Sequence, residues 1–300
     1  MDYLSIIKRA WQITWYNKFL WLFGFFAAGV SGISFNFSLP SNGSENLSKT
    51  QISLFYQQVV DFFVKYWFVF VFLGIVFFFI FLIFFVLNIV SHGALIGCVN
   101  KIEKDQKTGL KDGFNFGFSK FWKMLGLRIL VALIIFFTLV ILGVPTISLF
   151  VFKMYGRGII LLLFALIIFL PLVFVFSLIL NYALRYLVLM NLRVFESINS
   201  GFNLLKKNIL PTIVIFLILV GASLIFGLVI LMMAIFVALP SILLGIIAYF
   251  IGKIVAVLIV GALAILLFVL LSAIFSSIFN TFVSSVWTLT YLELKTKTGP

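Results

Sequence analysis

The chain has 300 residues, 64% hydrophobic and only 10% charged, and 40 of them are phenylalanine. Ordinary globular domains carry about 25% charged residues, so this chain cannot build a water-facing surface and its solvent is lipid. A single cysteine (Cys98) and a single histidine (His92) exclude an internal disulfide and argue against a zinc site. The formal charge of +13 flanks apolar runs instead of striping a polar domain, which argues against nucleic-acid binding.

Residues 6–26, "IIKRAWQITWYNKFLWLFGFF", begin as a basic, tryptophan-bearing amphipath and end as hydrocarbon. The pre-apolar region is 18 residues long and patterned, unlike the short basic start of a secretory signal, so it is expected to be retained. The first span is short and glycine-bearing, residues 19–35. A polar extracytoplasmic loop, 36–51, carries three glycosylation sequons at Asn36, Asn42 and Asn46, which matter only in a eukaryotic secretory pathway. Ser53, Gln57, Asp61 and Lys65 then recur every four residues, which predicts an amphipathic helix over 52–66 resting on the outer leaflet.

The second span lies within 66–100, the third is 129–152, and the fourth is 159–184 after the tight connection "KMYGRG". An uncharged stretch of 45 residues, 208–252, and another of 39, 254–292, complete the apolar runs. Within the first of these, 209–237 makes one long helix and leaves 13 residues, "PSILLGIIAYFIG" (240–252). As a helix they reach about 20 Å, short of a hydrocarbon core of about 30 Å. They are expected to be a turn and the start of a continued hairpin, or a re-entrant piece; six spans is the expectation and seven the alternative. Segments 1–18, 91–128, 185–211 and 285–300 hold 16 of the 21 Lys and Arg. The positive-inside rule assigns them, with both termini, to the cytoplasm.

A repeat runs through these elements. Ala10-Trp11-Gln12-Ile13, Gly113-Phe114-Asn115-Phe116 and Gly201-Phe202-Asn203-Leu204 each precede an outward span and are followed by lysines. On the returning spans Asn88 and Asn181 each precede a glutamate (Glu103, Glu196) by 15 residues, and Asn280 precedes Glu293 by 13. The expected fold is therefore all-α and integral to the membrane. Six transmembrane helices form three pseudo-repeated hairpins of about 1–103, 104–196 and 197–300, each preceded by a cytoplasmic interfacial amphipathic helix.

With "WYNKFLWLFGFF" (15–26), "RYLVLMNLRVFESINSGFNLLKKN" (185–208) and this layout, the chain resembles bacterial multi-pass proteins related to the membrane domain of glycerophosphoryl diester phosphodiesterases. The resemblance implies a bacterial cytoplasmic membrane. In that family the membrane domain can be fused to a soluble phosphodiesterase barrel. No such domain fits in this chain, and one histidine cannot furnish its active site, so hydrolysis is not carried over.

Asn88, Asn181 and Asn280 are polar groups expected in lipid-embedded helices, where carboxamides serve as packing glue between helices. The sharper reading joins them with His92 and Arg185 in a polar vestibule that receives a headgroup or a carboxylate. Lys8, Arg9, Lys120, Lys123, Lys206 and Lys207 are candidate contacts to anionic headgroups. Ser91 and His92 are adjacent on a helix and diverge by about 100°, so they cannot pair as nucleophile and base. No acid falls inside a span, and no ATP-binding motif is present. No cofactor or metal is expected. The sequence points to a non-enzymatic membrane protein that organises anionic lipids or a protein partner through a basic cytoplasmic face. The alternative is a permease-type subunit that moves a lipid or amphiphile with energy from another protein.

Overall fold

The computed structural model describes residues 1–29 and 60–298. These are helical throughout: α1 (Tyr3–Tyr16), α2 (Leu20–Ala28), α3 (Trp67–Glu103), α4 (Leu110–Val151), α5 (Tyr155–Met190), α6 (Val194–Lys207) and α7 (Ile209–Thr298). Four of them, α3, α4, α5 and α7, are long and apolar enough to cross a membrane, which makes this an all-α membrane protein. Helices suit that solvent because every backbone N–H and C=O is satisfied within the segment. Of the expected first span only α2 is described, and its nine residues reach about 13 Å. Its continuation, the loop 36–51 and most of the amphipathic helix expected over 52–66 lie outside the described residues.

Two sharp reversals organise the long helices. The α4–α5 connection turns at Lys153, held at a φ of 60°. Within α7 the helix breaks at Gly252 and Lys253, the latter at a φ of 53°. The rings of Phe226 and Phe279, equally distant along the chain from that break, stack at 4.4 Å. The two arms of α7 therefore lie antiparallel. Residues 240–252 form no separate turn: they are the last part of the first arm, which runs helically through Pro240 to the break. Beside the proline the Ser241 hydroxyl bonds the Val237 carbonyl at 2.7 Å, and the helix continues.

The buried core gathers at the end opposite these reversals, here called the base. There α1, α2 and α6 pack around the inner halves of α3, α4, α5 and α7, burying Phe23, Leu95, Leu127, Tyr182, Leu187 and Leu294. Beyond the base the helices expose their apolar side chains; every residue over 67–85 of α3 is exposed. That stretch is about 28 Å long, matching a hydrocarbon core of about 30 Å.

The small residues of the expected repeat lie at the closest helix contacts. Ala10 is fully buried, and so are Gly113 and Gly201. A Cβ on Gly201 would lie 2.9 Å from the Ala183 nitrogen. One on Gly117 would collide with the Val90 carbonyl, and one on Gly24 with the Ser277 carbonyl. The preceding amphipathic helices are not alike, however. α1 and α6 stand as separate helices, whereas the segment with Gly113 is continuous with the span, as the first part of α4. The reason is local. Asn17 and Asn208, each seven residues after the small residue, turn their own amide back to the Ile13 and Leu204 carbonyls at 2.9 and 3.1 Å and end the helix. Lys120 stands at that place in the middle segment, and nothing there interrupts the helix.

Replacing Gly117 by alanine should therefore lower stability in detergent by about 1–3 kcal/mol, because the clash is with backbone and no rotamer relieves it. The same change at Gly143, which has open space around it, should be neutral or slightly stabilising by helix propensity. Thermal unfolding of the two purified variants distinguishes them; equal melting temperatures would contradict glycine-mediated packing of α3 on α4.

Candidate functional site

Where α3, α4, α5 and the second arm of α7 begin to diverge, they leave a cavity of about 390 Å³. Its polar lining is His92 from α3, Arg128 from α4, Asn181 and Arg185 from α5, and Asn280 and Ser284 from α7. Arg185 sits on the base side, only 3% exposed. The exposed residues Ala132 and Ser177 form the rim toward the reversals. The cavity is thus polar and cationic at its floor and mainly apolar at its opening, where Ser177 adds one hydroxyl.

The guanidiniums are held but not neutralised. Arg185 donates to the Asn181 carbonyl at 2.5 Å and to the Ser284 carbonyl at 3.4 Å, while its buried Nε has no hydrogen-bond partner. Arg128 donates to the Asn88 side-chain oxygen at 2.9 Å. Among the described residues the ion pairs are Arg9–Glu103 at 2.9 Å and Lys297–Glu293 at 3.0 Å, and neither cavity arginine joins a carboxylate. A guanidinium carries five donors, so most of these remain available. His92 lies within electrostatic reach of both arginines.

Four of the five residues grouped as a polar vestibule, His92, Asn181, Arg185 and Asn280, line this one cavity. Asn88 does not. Its amide bonds the Phe26 and Ala27 carbonyls at 2.8 and 3.0 Å, stitching α2 to α3, and its oxygen orients Arg128. Asn181 and Asn280 instead donate to the carbonyls four residues back on their own helices, at 3.0 and 2.7 Å. The three asparagines therefore do different work. Arg128 went unnoticed in the sequence because it ends a basic segment that charge counting had already explained. The available signal was its position immediately before the third apolar run, level with Asn88 on the antiparallel neighbour.

Of the candidate headgroup contacts, Arg9 is paired with Glu103. Lys120 and Lys123 both reach the Asn191 side-chain oxygen at 2.8 Å, where Asn191 ends α5 in a left-handed conformation. They neutralise a helix C-terminus, a favourable site for cations. Lys8, Lys206 and Lys207 are exposed. The repeat glutamates also diverge: Glu103 and Glu293 form the two ion pairs, whereas Glu196 accepts from the Arg193 N–H at 3.2 Å and caps α6. Cys98 is buried against Gly113, with the Thr108 hydroxyl 3.6 Å from its sulfur. No family model, curated protein or solved structure matches the chain.

Asn88→Leu should cost about 2–3 kcal/mol, since it strands a charged donor and removes both of its bonds from α3 to α2. Asn181→Leu or Asn280→Leu, which lose only a bond within one helix, should cost about 1 kcal/mol or less. Equal losses in chemical unfolding of the three variants would contradict the distinct role of Asn88.

Proposed function

We propose that the chain is a non-catalytic protein of the bacterial cytoplasmic membrane that organises anionic lipid around its base. In this reading it crosses the membrane six times, with both termini and the base on the cytoplasmic side. Three hairpins, each introduced by an amphipathic segment, make up the crossings. The observation that carries the reading is the surface of the base. Trp11, Trp15, Tyr16, Trp122, Phe195 and Phe202 are exposed there, interspersed with the exposed Lys8, Lys18, Lys206 and Lys207. Aromatic rings settle at the level of headgroups, and lysine stems run along apolar surface while their ammonium groups reach phosphates. The excess of Lys and Arg in the base segments supports the orientation. The antiparallel arms of α7 support a two-crossing third hairpin.

Reporter fusions at Lys107 and Asn199 should read as cytoplasmic, and fusions at Tyr155 and Gly252 as extracytoplasmic. A cytoplasmic signal at Gly252 would contradict the six-crossing arrangement. The lipid reading is tested by extracting the protein in polymer-bounded patches of native membrane and measuring lipid composition. Changing Lys8, Lys206 and Lys207 together to glutamine should lower the anionic fraction toward that of bulk membrane, because each lysine near such a surface contributes about 1 kcal/mol. Unchanged enrichment in a correctly inserted variant would overturn the proposal.

A further inference from the structure

We infer that the cavity between α3, α4, α5 and α7 is a site for one phosphate-bearing lipid, its phosphate held by Arg185 and Arg128 and its acyl chains leaving between the diverging helices. The inference rests on the lipid-organising reading but concerns one interior molecule, whereas that reading concerns the outer surface of the base. Three features converge on it.

The first is charge. Among the described residues neither the buried Arg185 guanidinium nor the half-buried Arg128 guanidinium has a carboxylate, and a cation withdrawn from water is costly unless an anion accompanies it. The second is the unmet donor. Arg185 is 3% exposed and its Nε is unpaired, although buried polar groups ordinarily find partners. A phosphate oxygen at the cavity floor supplies one, and a guanidinium's fork matches two phosphate oxygens. The third is shape. The cavity of about 390 Å³ falls in the range of small-molecule sites. Its mouth is mainly apolar, with Ala132, Ile135 and Leu180 beside the single hydroxyl of Ser177, and faces the part of the molecule where helices expose hydrocarbon-length apolar surface. A free inorganic phosphate would satisfy the floor but leave that mouth unused; a lipid uses both.

The test is native mass spectrometry of the full chain released from detergent, alongside thermal shifts of delipidated protein. The expected result is one tightly retained phospholipid per chain in the wild type. Phosphatidylglycerol in mixed micelles should restabilise the delipidated protein, and inorganic phosphate at the same concentration should not. Arg128→Gln, at a half-buried position, should weaken retention about tenfold or more, as expected for a lost charge-assisted pair. Arg185→Gln should abolish it if the variant folds. A wild type that retains no stoichiometric lipid would overturn the inference without any variant. So would restabilisation by inorganic phosphate alone, which would make the site one for a free anion. The two proposals fail separately. Glutamine at Lys8, Lys206 and Lys207 should leave the single retained lipid in place, and loss of surface enrichment in wild-type patches would refute the surface reading while this lipid remained bound.

Discussion

Close backbone contact through small residues is the constraint on which the molecule depends. In lipid, helices gain little by hiding apolar side chains from an equally apolar solvent, so association comes from near approach and from polar contacts across the interface. Gly117 against Val90, Gly24 against Ser277 and Gly201 against Ala183 supply the approach. Asn88 against α2, Thr281 donating to Leu20, and Tyr182 with Thr212 at 2.9 Å supply the polar contacts. All of these lie in the base. Toward the reversals such contacts thin out, and the helices separate with their phenylalanines and leucines exposed.

That gradient creates the cavity. Four helices held tightly at one end and loosely at the other leave a wedge, and Arg128 and Arg185 at its apex are the last charged residues on their helices before the hydrocarbon-length stretches. Placing two arginines and a histidine at the apex gives a cationic pocket with a mainly apolar mouth. The described glutamates, Glu103, Glu196 and Glu293, are occupied elsewhere, in ion pairs or as a helix cap. This separation of acids from the cavity arginines leaves room for an anion that the described residues do not provide.

Composition and apolar length made the all-helical membrane class legible, because uninterrupted apolar runs of this length suit helices, whereas barrel strands are short and alternate. The vestibule was legible in part: His92, Asn181, Arg185 and Asn280 stood out as polar groups at matching depths on returning spans, and they do converge. Arg128 was missed because a basic residue at the edge of a span has a sufficient explanation in topology. The fused middle helix was missed because the repeat was read through its small residue and aromatic. The terminating asparagine, present at 17 and 208 and replaced by Lys120 between them, decides whether the helix ends. The length of 240–252, too short to cross alone, suggested a separate turn, whereas these residues continue the helix of the first arm. In α7 the boundary is Gly252 with Lys253, where the backbone leaves helical geometry.

The most direct measurement is an experimental structure determined in native lipid, at a resolution that distinguishes a phosphate from water. The account predicts tetrahedral density within hydrogen-bonding distance of the Arg185 and Arg128 guanidiniums, continuous with acyl density that leaves past Ala132. A cavity closed by repacked side chains, or a carboxylate of this chain paired with either arginine, would contradict it.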